Sequence, residues 1–428
     1  MSVKQYGSAN FRSKNGNSFF ANHHHYPNGT NAPIQRKEEQ QQAATAKEEK
    51  KEAKRGNSFW KDLFTRPFKA IGRLFGSENY SKEELDSYLN YIKTAKKIED
   101  RYDSDNKARA VVSRKDEFGT LSTDVKTLLI QEMIKGATLG ADEGAIISLL
   151  RDASLDEMKA ILSQLGREKL WGQFSGYNRR VIEAITLTEA DLSDQAMLSK
   201  LKSLSSKELE DYKTNARVPA VSTMAWKLIQ LKGITTPLDV GQVDRIDQSG
   251  TAHFSITGFN IQVLKDQSTG KQGEGAYTEV KVNPGQFGPN VTMDGVTNTV
   301  KSWVGPSDPV VTIQTFYDLG AKRSGSSGYG RGTTEEDKRK GHTTLGFHEG
   351  THGLDALQYL KDHAPPTFSG QSGMSMPDFT TAIEDYNKAI AAYQEALLLN
   401  SIKATDCPGT PISSDQLEKV GAPRNTCE

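Results

Sequence analysis

The sequence predicts an α+β protein in which an all-helical part precedes a strand-rich part, and the strand-rich part leads into one helix that carries chemistry. From about Ser122 to Tyr212 apolar residues recur at helical spacing with no convincing alternating run. After Val218 the composition shifts to β-branched and aromatic residues separated by Gly, Asn and Pro turns. The stretch Gly341 to His363 then contains His348-Glu349-Gly350-Thr351-His352, two histidines four residues apart. The expected divisions are a disordered tail over 1–57, an amphipathic segment and helix over 58–113, a helical domain over 114–216, a domain of mostly antiparallel sheet plus the histidine helix over 217–400, and a tail over 401–428.

Composition narrows the partners. The chain has 428 residues with 54 basic and 54 acidic side chains. This balance gives no general attraction to nucleic acid or anionic membrane, so partners must be argued locally. The first residues lack an apolar core of signal-peptide length, and no run approaches the roughly 18 apolar residues of a membrane span. Of the two cysteines, Cys407 and Cys427, neither stands at metal-ligand spacing. They can close a disulfide loop in an oxidising compartment or remain two free thiols, and the sequence leaves both open.

Along the tail, the run RKEEQQQAATAKEEKKEAKR has no apolar stripe to bury, and His23, His24 and His25 are incidental in such a setting. In Ser58 to Phe75, Trp60, Phe64, Phe68, Ile71 and Phe75 recur at helical spacing among Lys and Arg, with Pro67 as a break. This stretch either packs on its own domain or docks on a partner or membrane surface. Ser81 with Glu84, and Ser154 with Glu157, have the form of capping boxes that open helices. Alternation over 253–256, 260–264, 278–282 and 310–317 predicts strands, with 310–317 at the sheet edge where an extended peptide could pair.

The histidine helix begins at a Thr343 or Thr344 cap, and Leu345, His348, His352, Asp355, Ala356 and Tyr359 share its face. Residues four apart on a helix lie one above the other, so His348 and His352 can direct two imidazole nitrogens at one Zn²⁺, with Glu349 beside them as a base toward water. A catalytic zinc site needs a third protein ligand. In the metzincin pattern the third ligand is a histidine six residues past the second, but here Gln358 stands there, and His363 is nearly three helical turns beyond His352. The loop Leu319 to Thr334 is too rich in Gly and Ser for a rigid element and reads as a flap, with Tyr329, Arg331 and the nearby His342 as candidates to donate a proton or grip substrate.

With its H-E-x-x-H helix, the chain resembles zincin metallopeptidases of the glutamate-ligand type. The resemblance implies a carboxylate on the following helix, Asp378 to Leu399, as third ligand. Glu384 is the first choice and Asp385 its rival; Asp355, one turn past His352, is the other alternative or a partner that orients the imidazole. The implied activity is zinc-dependent hydrolysis of a protein or peptide substrate with Glu349 as base. In the helical part, Ile134-Lys135-Gly136-Ala137-Thr138-Leu139-Gly140-Ala141-Asp142-Glu143-Gly144-Ala145-Ile146, continuing to Leu170 and Ser175-Gly176, is similar to one annexin repeat. Uncharged Gln173 stands where that resemblance asks for an acidic Ca²⁺ ligand, so the implied fold carries over and membrane binding does not. In the tail, Ser18-Phe19-Phe20 followed by Pro33-Ile34-Gln35-Arg36-Lys37-Glu38-Glu39 resembles leaders of proteins associated with bacterial contractile injection systems. It implies a toxin or effector cargo, loaded in the bacterial cytoplasm and delivered without a signal peptide. The competing expectation is a non-enzymatic particle-, membrane- or partner-binding protein with a structural zinc site.

Overall fold

Serine and aspartate caps punctuate the first half of the chain, and each starts a helix where a side-chain oxygen can accept an otherwise unpaired N–H. A computed structural model describes residues 80–95, 104–135, 138 and 140–428. The leader-like residues, His23 to His25, the amphipathic segment 58–75 and part of the annexin-like loop (Gly136, Ala137 and Leu139) lie outside the described residues. The chain divides into two compact units, with Trp226 closing the first and Lys227 opening the second.

The described residues of the first unit are helical, with no strand among them. Helix α1 (Lys82–Ala95) is opened by Ser81, whose hydroxyl accepts the Glu84 N–H while the Glu84 carboxylate accepts the Ser81 N–H. After α2 (Ser104–Ser113), Ser122 caps α3 (Thr123–Met133), followed by α4 (Gly140–Asp152). Ser154 and Glu157 form the expected reciprocal box before α5 (Leu155–Leu165). Then come α6 (Arg167–Trp171), α7 (Gly176–Thr186), α8 (Gln195–Ser203) capped by Asp194, and α9 (Ser206–Asn215) with a third box. Each cap is worth about 1 kcal/mol. Leu129, Ile146, Ile161 and Ile182 are fully buried between these helices.

A polar knot lies inside this apolar packing. The Glu183 carboxylate is fully buried and accepts hydrogen bonds from Arg179, Lys200 and Tyr212. Burial pushes its pKa up, but the donors more than offset burial and leave it below the ordinary value. Trp171 covers the cluster with its ring under the guanidinium of Arg167 at 4.8 Å, and its indole N–H bonds Thr186 at 2.9 Å.

Helix α10 (Pro219–Leu231) carries the chain into the second unit. There, the expected strands form as β2 (Ala252–Ile256), β3 (Phe259–Val263), β5 (Ala276–Asn283) and β8 (Val310–Tyr317), with short β1 (Arg245–Ile246) and β4 (Gln267–Ser268). The expectation of a mostly antiparallel sheet holds in most pairings, and that of an edge position for one strand fails. Strand β8 runs parallel to β3 and β4 and antiparallel to β5, which makes the sheet mixed. It is also interior rather than at the edge, because β3 and β4 fill one of its sides in succession and β5 pairs along the whole of the other. Short apolar alternation specifies a strand's buried face and is silent about its neighbours.

On β5, Ala276, Thr278, Val280 and Val282 are buried and alternate with more accessible residues. Helix α12 (Leu345–Asp362) packs on β5, after a short α11 (Glu335–Lys340). Beyond β5, a small hairpin of β6 (Thr292–Met293) and β7 (Val300–Ser302) is held to the long helix α13 (Met376–Ser401) by Trp303 against Phe379, ring centroids 5.1 Å apart. The α13 cap is Ser375, three residues before the expected helix start at Asp378, and Asp378 sits in the first turn and accepts the Ser375 hydroxyl at 2.7 Å. Among the described residues no helix is long and apolar enough to cross a membrane.

Residues 401–428, expected as a separate tail, belong to this unit. Helix α13 ends in a wider π-helical turn (Ile402–Asp406), after which Ile412, Leu417, Val420 and Ala422 close a small core with Ile402. Helix α14 (Ser414–Lys419) lies within it, and Cys407 and Cys427 are joined as a disulfide.

Candidate metal centre

Thr344 caps α12 through the Phe347 N–H, which fixes the helical register from which the two histidines project. His348 and His352 fall on one face as their spacing requires, and both are buried. Gly353 lets this helix approach closely: a Cβ there would lie 2.2 Å from the Thr236 hydroxyl. The helix is thus seated against 235–236 by the absence of a side chain, with its histidines turned away toward the end of α13.

The structure brings His348, His352 and Asp406 together. Asp406 Oδ1 lies 3.2 Å from Nε2 of each imidazole, and all three residues are buried. The other ring nitrogens are both engaged. His348 Nδ1 is 3.0 Å from the Arg331 carbonyl oxygen, which can only accept, so Nδ1 carries the proton and in the neutral ring Nε2 is a bare lone pair. His352 Nδ1 is 2.9 Å from the Ser401 hydroxyl. Two imidazole nitrogens and a carboxylate oxygen therefore converge; His352 Nε2–H can donate to Asp406 when the Ser401 hydroxyl donates to Nδ1, whereas buried His348 Nε2 has no hydrogen-bond partner.

The His348 lone pair against the Asp406 oxygen is repulsive unless a cation sits between them. One cation is a proton: burial works against charging His352, yet the Asp406 carboxylate outweighs it and raises the pKa to about 9. In turn, burial opposes ionisation of Asp406, but the His352 charge and its hydrogen bond hold the carboxyl below the ordinary value. The other is a metal ion. Ligand atoms at 2.0–2.1 Å around a tetrahedral zinc stand about 3.3 Å apart, close to the 3.2 Å found here. The donor set of two imidazoles and one carboxylate fits zinc, and also fits other first-row divalent ions.

Glu349 lies on the adjoining face of α12. Its carboxylate Oε2 is 3.0 Å from the Thr278 hydroxyl on β5, which in turn is 3.0 Å from the Thr315 hydroxyl on β8. A threonine pair on the buried sheet face thus supplies a donor where the carboxylate needs one. Burial raises the Glu349 pKa, while His348, His352 and Thr278 pull against it.

The third ligand expected on the body of α13 is not there. Glu384 and Asp385 are exposed, Asp385 pairing with Lys388 at 3.1 Å, because Ala382 and Tyr386 occupy the packed face and residues 384 and 385 turn away from it. Asp406, 54 residues after His352, takes the position instead. Asp355 lies near the site but accepts a hydrogen bond from Thr405, so it steadies the segment that carries Asp406. Burial raises its pKa. His342 is exposed and stacked on Phe347 at 4.7 Å, outside the buried group.

Nor is the Gly-rich loop free. Ser327 N–H bonds the Thr343 carbonyl at 2.9 Å, Gly330 N–H the Thr410 carbonyl at 2.6 Å, and Arg331 N–H the Thr405 carbonyl at 2.6 Å. The Arg331 guanidinium is committed to Asp337 by two bonds of 2.9 and 3.0 Å, which hold the Asp337 carboxyl below its usual range, so it does not grip substrate. Gly330 has φ +63, and a Cβ on it would lie 2.9 Å from His348 Cε1 and 2.2 Å from the Thr405 carbonyl oxygen. The glycines let backbone close over the imidazole. Tyr329 packs edge-on against His348, centroids 5.0 Å apart.

Sequence reasoning missed Asp406, Ser401, Thr278 and the Arg331 carbonyl. One signal was present: the apolar spacing of α13 continues past Leu399 to Ile402, which would have carried the helix on to Ser401 and its exit to Asp406. Comparison with family models, curated proteins and solved structures gave no match.

Proposed function

We propose that this chain is a zinc-dependent hydrolase of peptide bonds in which His348, His352 and Asp406 hold the ion and Glu349 is the base. The observation that carries this reading is the convergence of both Nε2 atoms on Asp406 Oδ1 at 3.2 Å beside a buried glutamate on the same helix. A bound zinc ion supplies Lewis acidity, polarising a carbonyl oxygen and lowering the pKa of water. Glu349, held by Thr278, takes a proton from the attacking water and returns it to the leaving amine. Arg331, through its carbonyl, and Ser401 fix the imidazoles so that Nε2 faces inward. Tyr329 places a phenol beside the site as a partner for the developing oxyanion.

A second reading is a structural zinc site, favoured by the burial of His348, Glu349, His352 and Asp406 to 4 % exposure or less. Purified protein dialysed against zinc and then against metal-free buffer should retain about one ion per chain; absence of metal would end both readings. Glu349→Gln should keep the ion and abolish cleavage of an unfolded protein substrate. Retained zinc with no cleavage by either form would favour the structural reading. On the resemblance of 18–39 to injection-system leaders, the chain is further proposed to travel as particle cargo. Deleting 1–57 should then remove it from purified particles without changing its zinc content.

A further inference from the structure

Asp406 is followed immediately by Cys407, and Cys407 is bonded to Cys427. The segment between the cysteines has little else of its own. Its helix α14 is six residues long, too short to persist alone, and both cysteines pack against the small core of Ile402, Ile412, Leu417, Val420 and Ala422. This segment walls the metal centre: Ile412 N–H bonds the Asp406 carbonyl at 3.0 Å, and Thr410 is paired with Gly330 above His348. We infer that the Cys407–Cys427 disulfide is the positioning element for Asp406, so that the chain retains its metal ion when the disulfide is formed and loses it when the disulfide is reduced.

The physical reason is the unequal support of the three ligands. His348 and His352 stand on an 18-residue helix packed on the sheet, a support that does not run through the disulfide. Asp406 stands at the exit of α13, and the segment after it is held by the small core, by the Thr410 pairing with Gly330 and by the loop that the disulfide closes. Opening that loop restores conformational freedom to 407–427 and lets the Asp406 carboxylate leave the two Nε2 atoms. A metal site then has two ligands in place of three.

The inference rests on the metal-site reading, and the test separates the two. Treating the protein with a water-soluble phosphine breaks the S–S bond; phosphorus is oxidised to the phosphine oxide with the oxygen of one water, whose two protons end on the two thiols. Alkylating the thiols and removing the reagents leaves no thiolate to bind zinc. Zn²⁺ affinity is then measured by competition with a chromophoric chelator for the oxidised chain, the reduced and alkylated chain, and a Cys407→Ser/Cys427→Ser variant, with circular dichroism to follow the helices. Loss of the disulfide should weaken zinc binding about 10–100-fold in both preparations with helix content retained. In an Asp406→Ala background, loss of the disulfide should weaken binding no further. Equal affinity with and without the disulfide overturns the inference alone, as does an undiminished effect in the Asp406→Ala background. No zinc binding by the oxidised chain overturns the metal site and this inference with it.

Discussion

In the helical unit the buried Glu183 carboxylate receives hydrogen bonds from Arg179, Lys200 and Tyr212, whereas in the second unit buried Asp406 faces two imidazole nitrogens, of which His348 Nε2 has no proton to offer when the ring is neutral. Both clusters place an acid where water does not reach. The first contains its own counter-charges and is complete as folded. The second leaves the His348 Nε2 lone pair against the carboxylate, and a cation between them completes it. Burial of charge therefore marks a candidate site here only where the donors are missing, and the count of donors separates a structural knot from a functional one.

Removing Glu183 should give the largest effect. Glu183→Ala leaves Tyr212 without its partner and two cations over Trp171, and the expected cost is about 3 kcal/mol, the low end for buried pairs because Arg179 and Lys200 keep partial access to water. Urea unfolding should show this loss, and zinc affinity should not change. The pH dependence has a definite sign. Because the folded-state pKa of Glu183 lies below its ordinary value, its stabilisation is fully present above that ordinary value and disappears as pH falls through the folded one.

Asp406→Ala should lower zinc affinity at least about 100-fold, where Glu183→Ala leaves it unchanged. A change in zinc affinity on removing Glu183, or none on removing Asp406, would break the distinction between the clusters. Next in size is a proton effect. With a His352 pKa near 9, the metal-free centre carries a proton at neutral pH. Zinc must displace it, so titration calorimetry in buffers of different ionisation enthalpy should show about one proton released per ion, with affinity falling about tenfold per pH unit below that pKa. The smallest effect belongs to Ser401→Ala, which frees the His352 ring on its Nδ1 side and should weaken zinc about tenfold.

The half of the site that is local was legible. His348, Glu349 and His352 are related by helical spacing alone, and the Thr344 cap and the capping boxes at Ser81 and Ser154 depend on neighbours three residues away. The strands were legible for the same reason, through alternation. What could not be read is what the chain brings from a distance. Glu384 has suitable chemistry on the expected helix, but helical phase beside Tyr386 directs it to solvent. Asp406 comes from a π-helical turn, and no periodicity announces where a helix will widen. The neighbours of β8 were likewise a matter of topology: its alternation would be the same at an edge or in the middle. The fate of Cys407 and Cys427 depends on Cα atoms 5.1 Å apart, which a separation of 20 residues permits without dictating.

The order in which the ligands occur along the chain also sets a timetable. His352 precedes Asp406 by 54 positions. At synthesis rates of about 5–20 residues per second, the histidines therefore exist for roughly 3 to 11 s before the third group is made. On the proposed metal reading, an ion met during that interval would be held by two imidazoles and exchange freely; retention would begin only when the end of α13 delivers Ser401 and Asp406 together, so that loading with metal would follow folding and not nucleate it.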